Sequence, residues 1–555
     1  NVSVDGGTIK LDGNYPVGSN NVALGNNALS SGSLSGANNT AIGREAMLSN
    51  TSGALNVALG STTLDANTTG SSNTAVGQAA LGSNTTASSN TAVGYQSLLA
   101  NTTGSSNVAV GTNALQSNTT GGANTALGHR SLLLNTTGSE ITALGNHALH
   151  QNSTGSYNVS SGTYSLYSNT TGANNTANGY RALFSNTTAS DSTAVGYQSL
   201  YSNTTGSVNT AVGFKAGYAN TTGIVIDAFG YQTLDANTTG ERNAAFGAAS
   251  LGDNTTGSYN IAVGNNALAQ NTTADYNTAV GYQAGYSNTT GSDGTYVGTQ
   301  AGYYVTTGLQ NTAVGTATLG RNSATSTTTG NYNSAFGQYS LTALQSGSYN
   351  TGLGYGALQN NTTASNNTAV GYQSLFSNVT HTTLTAVGYQ ALYNNTADDN
   401  TAVGWKAMFA NTTGSLSVAV GRSALEDNTT GGSNTALGYA PLSNNSTGSN
   451  NVAIGRQALL NNTTASDNTV VGYQAGQNGT TAAANTLIGK TAGQDLTTAN
   501  GNTFIGANSG NNVTTGQNNT ILGRFNGNQH SLDIRTSSNN IVLSDGDGNP
   551  RLIID

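Results

Sequence analysis

A glycine returns at a constant interval of about 17 residues through almost the whole chain, and that beat limits the fold more than any other feature of the sequence. Between Asn73 and Gly145 the phrase Asn-Thr-Ala-Val-Gly, or a close variant, places glycines at Gly77, Gly94, Gly111, Gly128 and Gly145. A leucine follows each of them four places on, at Leu81, Leu98, Leu115, Leu132 and Leu149, and an Asn-x-Thr phrase closes the unit. Self-similarity at one short period marks a solenoid in which every repeat is one coil. Function is then expected along an extended object, not in a pocket.

A chain of 555 residues would ordinarily divide into several globular domains, but a single repeated phrase removes the need for boundaries. Apolar residues make up 35% and charged residues only 6%, with 74 glycines and 3 prolines. Disordered chains share the low hydrophobicity, yet they are usually charged, proline-rich and aperiodic, so the beat decides for order. A net charge of -8 leaves no basic stripe long enough to neutralise phosphates, which speaks against nucleic acid as a partner. The absence of cysteine excludes disulfides and thiolate metal sites. No apolar run approaches the ~18 residues of a membrane-spanning helix, so membrane insertion is not expected, while the Asn1 start leaves room for a leader or a larger N-terminal region.

Taken in order, residues 1–20 alternate apolar and polar positions around Asp5-Gly6-Gly7 and Asp12-Gly13 and read as a β cap. Residues 21–524 form the repeat shaft, about 30 coils in all, with an insertion near 316–333 where one interval is about five residues too long. Residues 525–555 leave the phrase, and Ile541-Val542-Leu543 and Leu552-Ile553-Ile554 flank a turn-rich Asp545–Pro550 segment that reads as a hairpin.

The repeat is a β-coil and not a helix, because its apolar residues lack a spacing of three and four and a glycine interrupts every unit. In Thr74-Ala75-Val76 the side chains alternate, so Thr74 and Val76 share one face and Ala75 takes the other. The reading places Val76 and Leu81 inside the coil and turns Ala75 towards a neighbouring chain. Glycines such as Gly77, and Gly104, Gly121 and Gly138 in the second turn, are expected at positive φ or at close backbone approaches. Asn73, Asn90 and their equivalents at the head of each coil are placed to form a ladder of amides, or else simple turns. Two sizeable apolar side chains are few against the entropy of ordering a coil. Three copies about a common axis are therefore expected, an all-β, trimeric parallel β-roll or β-helix solenoid whose principal partner is itself.

The Asn-x-Ala-(Val/Ile/Leu)-Gly phrase with its downstream leucine resembles the head repeats of trimeric autotransporter adhesins, which implies a trimeric left-handed parallel β-roll. Arrays such as NTAVGYQSLLANTTGSSN are similar to tail-fibre repeats of marine and cyanobacterial bacteriophages, and SSNNIVLSDGDGNPRLIID resembles the junction that precedes a self-cleaving chaperone in such fibres. The resemblance implies a structural shaft on the virion tail, outside the cell, that projects or contributes to binding of a host-surface glycan or protein. Its alternative is a bacterial cell-surface adhesin or secreted filament.

No nucleophile with a base, no carboxylate pair and no metal set emerges, so the expectation is a non-enzyme without cofactors. His129, His147, His150, His381 and His530 read as solvated loop residues, and Asp398 and Asp399 have no partner at catalytic spacing. Asp545, Asp547 and Asn549 imitate the start of a calcium loop, but Pro550 stands where its glycine is required. Aromatics follow the glycine at Tyr95, Tyr197, Tyr282, Tyr372 and Tyr389, positions read first as packing between coils or between chains and second as candidates for stacking on host sugars. The repeated Asn-Thr-Thr is formally a glycan acceptor and is read here as bare turn chemistry. Its threonine rows raise ice binding, which the turn setting disfavours.

Overall fold

Three-residue strands recur once per coil because each glycine breaks the extended run that Thr-Ala-Val begins. The computed structural model describes residues 19–320 and 327–554, so most of the cap expected over 1–20 lies outside the described residues. Two units are distinguished, the first ending at Tyr276 and the second beginning at Asn277. Each is a parallel β-solenoid, and together they carry about 30 coils. Equivalent positions of the repeat pair across the parallel ladders: Thr74, Ala75 and Val76 face Thr91, Ala92 and Val93 in the first unit, and Thr368, Ala369 and Val370 face Thr385, Ala386 and Val387 in the second. Among the described residues there is no helix.

The alternation of faces holds, but the faces are exchanged relative to expectation. Ala75 and Leu81 are fully buried within their own coil, whereas Thr74 and Val76 are half-buried on the outside. Leu81 therefore fills the interior as expected; Val76 does not, and Ala75 cannot face a neighbouring chain. The physical reason is width. The coil is so thin that only a methyl group fits opposite the leucine and the amides that share the interior.

Those amides are the part of the core that hydrophobic counting misses. Asn73, Asn90 and Asn107 are buried and form the expected ladder: the backbone N–H of Asn90 donates to Asn73 Oδ1 at 3.0 Å, and that of Asn107 to Asn90 Oδ1 at 2.9 Å. The Asn-Thr-Thr asparagines form a second one. Asn101 Nδ2 donates to Asn84 Oδ1 at 3.0 Å and to the Gly104 carbonyl at 2.9 Å, and Asn118 repeats both bonds one coil later. Each of these amides thus binds the rung beside it and closes its own turn, which satisfies most of the polar half of the core, and a few buried oxygens such as Asn462 Oδ1 are left without a donor.

Backbone conformation follows the same period. Gly77 has φ +131°, and a Cβ there would lie 2.4 Å from the Gly94 carbonyl oxygen, so both reasons for glycine apply. At Gly104 only close approach applies, with 2.2 Å to the Gly121 oxygen and no positive φ. Non-glycine residues bear the left-handed turns: Gln96, Leu98 and Ser106 have φ of 52°, 55° and 62° in a single coil. Such a leucine costs about 1–2 kcal/mol, offset by its burial and by the bond from its N–H to the Ala114 carbonyl at 3.0 Å.

Irregular intervals do not break the ladder. Across the long one, Thr312–Val314 still pairs in parallel with Ser334–Phe336, and Val305 bridges to Thr328; residues 321–326 of the insertion lie outside the described residues. At the end, Ile541–Ser544 pairs in parallel with Thr520–Leu522 and antiparallel with Pro550–Ile554, and a smaller hairpin joins Asn528–Gln529 to Leu532–Asp533.

Candidate functional site

With the interior occupied by the chain's own side chains, chemistry towards other molecules rests on rows of outward residues repeated from coil to coil. The position after the strand-end glycine is exposed and frequently aromatic, and equivalent rings on adjacent rungs stack. In the first unit Tyr180, Tyr197, Phe214 and Tyr231 run in line, with centroids 5.5, 5.2 and 5.2 Å apart. Tyr355, Tyr372, Tyr389 and Trp405 do the same in the second at 5.3, 5.3 and 6.3 Å. A second row four positions further on stacks likewise, as Phe184 on Tyr201 at 5.2 Å and Phe376 on Tyr393 at 5.0 Å.

This geometry divides the candidate tyrosines. Tyr197, Tyr372 and Tyr389 each lie between two rings, so both faces are covered and only edges and hydroxyls meet solvent. A sugar stacks on a ring face, and these faces are taken. Tyr95 and Tyr282 have no ring neighbour among the described residues, and they are 46% and 50% exposed, so their faces remain available. Tyr372 and Tyr389 are brought to adjacent rungs; Tyr95 and Tyr197 are left several coils apart. Within each unit the candidates therefore do not converge on one site.

The histidines depart from the sequence reading. His129, His147 and His150 come together, with ring centroids 5.3 Å apart for the first pair and 5.1 Å for the second, and His150 stacks on Tyr167 at 5.0 Å. Burial pushes His150 down to about 4, helped by His147 and Arg130, and burial first, then His129 and Arg130, lowers His147. Subtracting one period from His147 puts it beside Arg130, next to His129, which is the signal that linear spacing hides. Among the described residues no group of three metal-ligating side chains is placed to hold an ion.

The acidic candidates are structural. Asp545 accepts from the Asn549 side chain and backbone N–H, the latter at 2.9 Å, and from Arg551, which together hold its carboxyl well below the usual range. Asp398 accepts from the Thr382 backbone N–H at 2.6 Å, and Asp399 from the Thr383 hydroxyl, so both tie one coil to the next.

The outer strand face is the remaining surface. Its third position is apolar on most rungs and open to solvent, as at Leu59 45%, Leu127 50% and Val263 38% in the first unit and Leu353 47%, Leu437 46% and Ile505 40% in the second. No protein-family model matches the chain, and no curated protein matches it.

Proposed function

We propose that the chain is a non-enzymatic shaft segment of an extracellular fibre of the bacteriophage tail-fibre type, and that its copies associate, as a homotrimer, through the outer strand face. The observation that carries this reading is the pairing of a self-filled interior with an unpartnered apolar row such as Leu59, Leu127 and Val263. A coil that has no room for a ligand inside, yet leaves aliphatic side chains in water outside, is suited to lateral assembly and mechanical support. The similarity of the NTAVGYQSLLANTTG arrays to phage tail-fibre repeats supports the virion setting, and projection of receptor-contacting parts towards a host surface follows from it. Three identical copies would also repeat every outward row three times, so weak contacts with a host glycan or protein add up.

Sedimentation equilibrium tests the assembly. The expected mass is three times that of one chain, falling to one chain in Leu127→Asp/Val263→Asp with the β circular dichroism signal kept. A wild-type chain that sediments as a monomer would refute the proposal. Antibody labelling of purified virions tests the setting: label along the tail fibres is expected, and label on a bacterial surface would replace this reading with the adhesin.

A further inference from the structure

In the second unit the row after the strand-end glycine changes character from Trp405 onward. It reads Trp405, Arg422, Tyr439, Arg456, Tyr473, Lys490, Ala507 and Arg524, one residue per coil, and every one is exposed. Cations stand on every second rung from Arg422, Trp405 precedes the first of them, and two of the three intervening residues, Tyr439 and Tyr473, are aromatic. Adjacent rungs of a parallel sheet lie about 4.8 Å apart, so these charges recur about every 10 Å. Four of the 14 basic residues of an otherwise acidic chain fall on this one line.

Two of the cations, Arg422 and Arg456, are held between rings without being neutralised. The Arg422 guanidinium lies 4.9 Å from the Trp405 ring and 5.7 Å from the Tyr439 ring, and that of Arg456 lies 5.5 and 5.8 Å from Tyr439 and Tyr473. Ring faces on both sides keep each planar group extended along the row, which lowers the entropy lost when it binds a carboxylate. Among the described residues none of the four cations forms an ion pair, whereas Lys406, at the next position in its coil, is 3.8 Å from Glu426. Arg524 ends the row at a polar cleft of about 320 Å³ that Asn508, Gln529 and Asp547 also line.

We propose that this row binds a linear acidic polysaccharide that carries one carboxylate per disaccharide, laid parallel to the coil axis. One sugar spans about one rung, so a carboxylate on alternate sugars meets a cation on alternate rungs. The ring edges and polar tips between the cations contact the uncharged sugars, since the faces are already covered by guanidinium groups. A nucleic-acid strand fits less well, because its charges recur about every 3.4 Å along a duplex, so only about one phosphate in three can meet a cation and the rest stay unpaired against the row. Binding of this kind weakens with salt, as the contacts are exposed and the screening length is about 8 Å at physiological ionic strength.

The test uses the full chain and fluorescently labelled hyaluronan oligosaccharides, in which glucuronate alternates with a neutral sugar, read by anisotropy at low salt. The carboxyl-reduced neutral form and a single-stranded DNA of equal length serve as comparisons. Hyaluronan is expected to bind at least tenfold more tightly than either. Arg422→Gln/Arg456→Gln is expected to weaken it at least tenfold, and Arg422→Lys/Arg456→Lys to restore most of the loss. Arg44→Gln, in the same row of the first unit but outside the alternation, is expected to change nothing. Equal binding of the neutral polymer, tighter binding of DNA, no binding of hyaluronan, or indifference to the Arg422/Arg456 change would each overturn the proposal. All these side chains are exposed, so the variants keep the fold. The inference does not rest on the shaft reading: a trimer that ignores hyaluronan sinks the inference alone, and a monomer that binds it sinks only the assembly.

Discussion

Tyr296 occupies the strand position that is alanine in most coils, and it is fully buried. Its ring fits because Gly302 stands where most coils have leucine: a Cβ on Gly302 would lie 2.2 Å from Tyr296 Cδ1. Gly294 makes room at the other end, where its Cβ would meet the phenol oxygen at 2.5 Å. The two exchanges therefore compensate each other, and reversing them separately must be costly. Tyr296→Ala leaves a cavity and costs about 3–5 kcal/mol, the range for large aromatic truncations. Gly302→Leu overpacks the coil and costs about 1–3 kcal/mol or more. Tyr296→Ala/Gly302→Leu restores the common pair, and Leu98 with φ 55° shows that the backbone at this position accepts leucine. The double variant is expected to recover much of the summed loss, short of the wild type because Gly294 still leaves the space of the usual head asparagine unfilled, so the coupling energy is expected to reach at least the upper part of the usual range of about 0.5–3 kcal/mol for neighbours. Because repeat arrays open locally, amide hydrogen exchange in coils 278–320 measures this better than a global melt. Additive losses in the double variant would refute the compensation.

Other expectations follow from single rungs. Gly479 interrupts the second asparagine ladder and leaves the buried Asn462 Oδ1 without a donor, but the residue one period further is the buried Leu496, so Gly479→Asn passes the orphaned oxygen on and is expected to leave that coil within about 0.5 kcal/mol of the wild type; markedly slower exchange there would contradict it. His150 binds protons less readily folded, at about 4, than unfolded, at 6.5. Stability is therefore complete above pH 6.5 and falls as pH drops towards 4. Local melting followed by NMR should show a larger loss in wild type than in His150→Phe, where His147, also lowered by burial, still contributes, and an equal acid response in both would exclude it. Asn101 and Asn118 are buried with both amide hydrogens engaged, so glycosylation of Asn-Thr-Thr is incompatible with the ladder. Secretion from a eukaryotic cell should yield glycosylated, misfolded chain that Asn-to-Gln changes do not rescue, and a folded glycosylated product seen by mass spectrometry would refute this.

The period, the β-coil and the pairing of Thr74 with Val76 on one face were legible because they depend on glycine spacing and on the alternation of a strand. Which face turned inward was not, since hydrophobicity favours Val76 and only the width of the coil favours Ala75. The head ladder through Asn73 was legible from repetition, whereas Asn84 and Asn101 looked like turn residues, because an inward asparagine that also closes a turn has no distinct local signature. Leu98 in a left-handed conformation was hidden for the same reason, although the glycines at 217, 302, 476 and 510, in the same place, carry the clue. Of the candidate surface, the aromatic row was visible. The stacking that closes the faces of Tyr197 and Tyr372, and the histidine cluster, needed residues compared one period apart.

The account rests on residues one coil apart lying side by side, and paired cysteines test this directly in a chain that has none of its own. Thr103 and Thr120 are exposed on adjacent rungs, about 4.8 Å apart, within the roughly 4.4–6.8 Å that a disulfide spans between Cα atoms. Thr103→Cys/Thr120→Cys is predicted to form an intramolecular disulfide on mild oxidation, while Thr103→Cys/Thr137→Cys, two rungs apart, is not. Failure of the first pair in folded protein, or efficient closure of the second, would contradict the stacked coil.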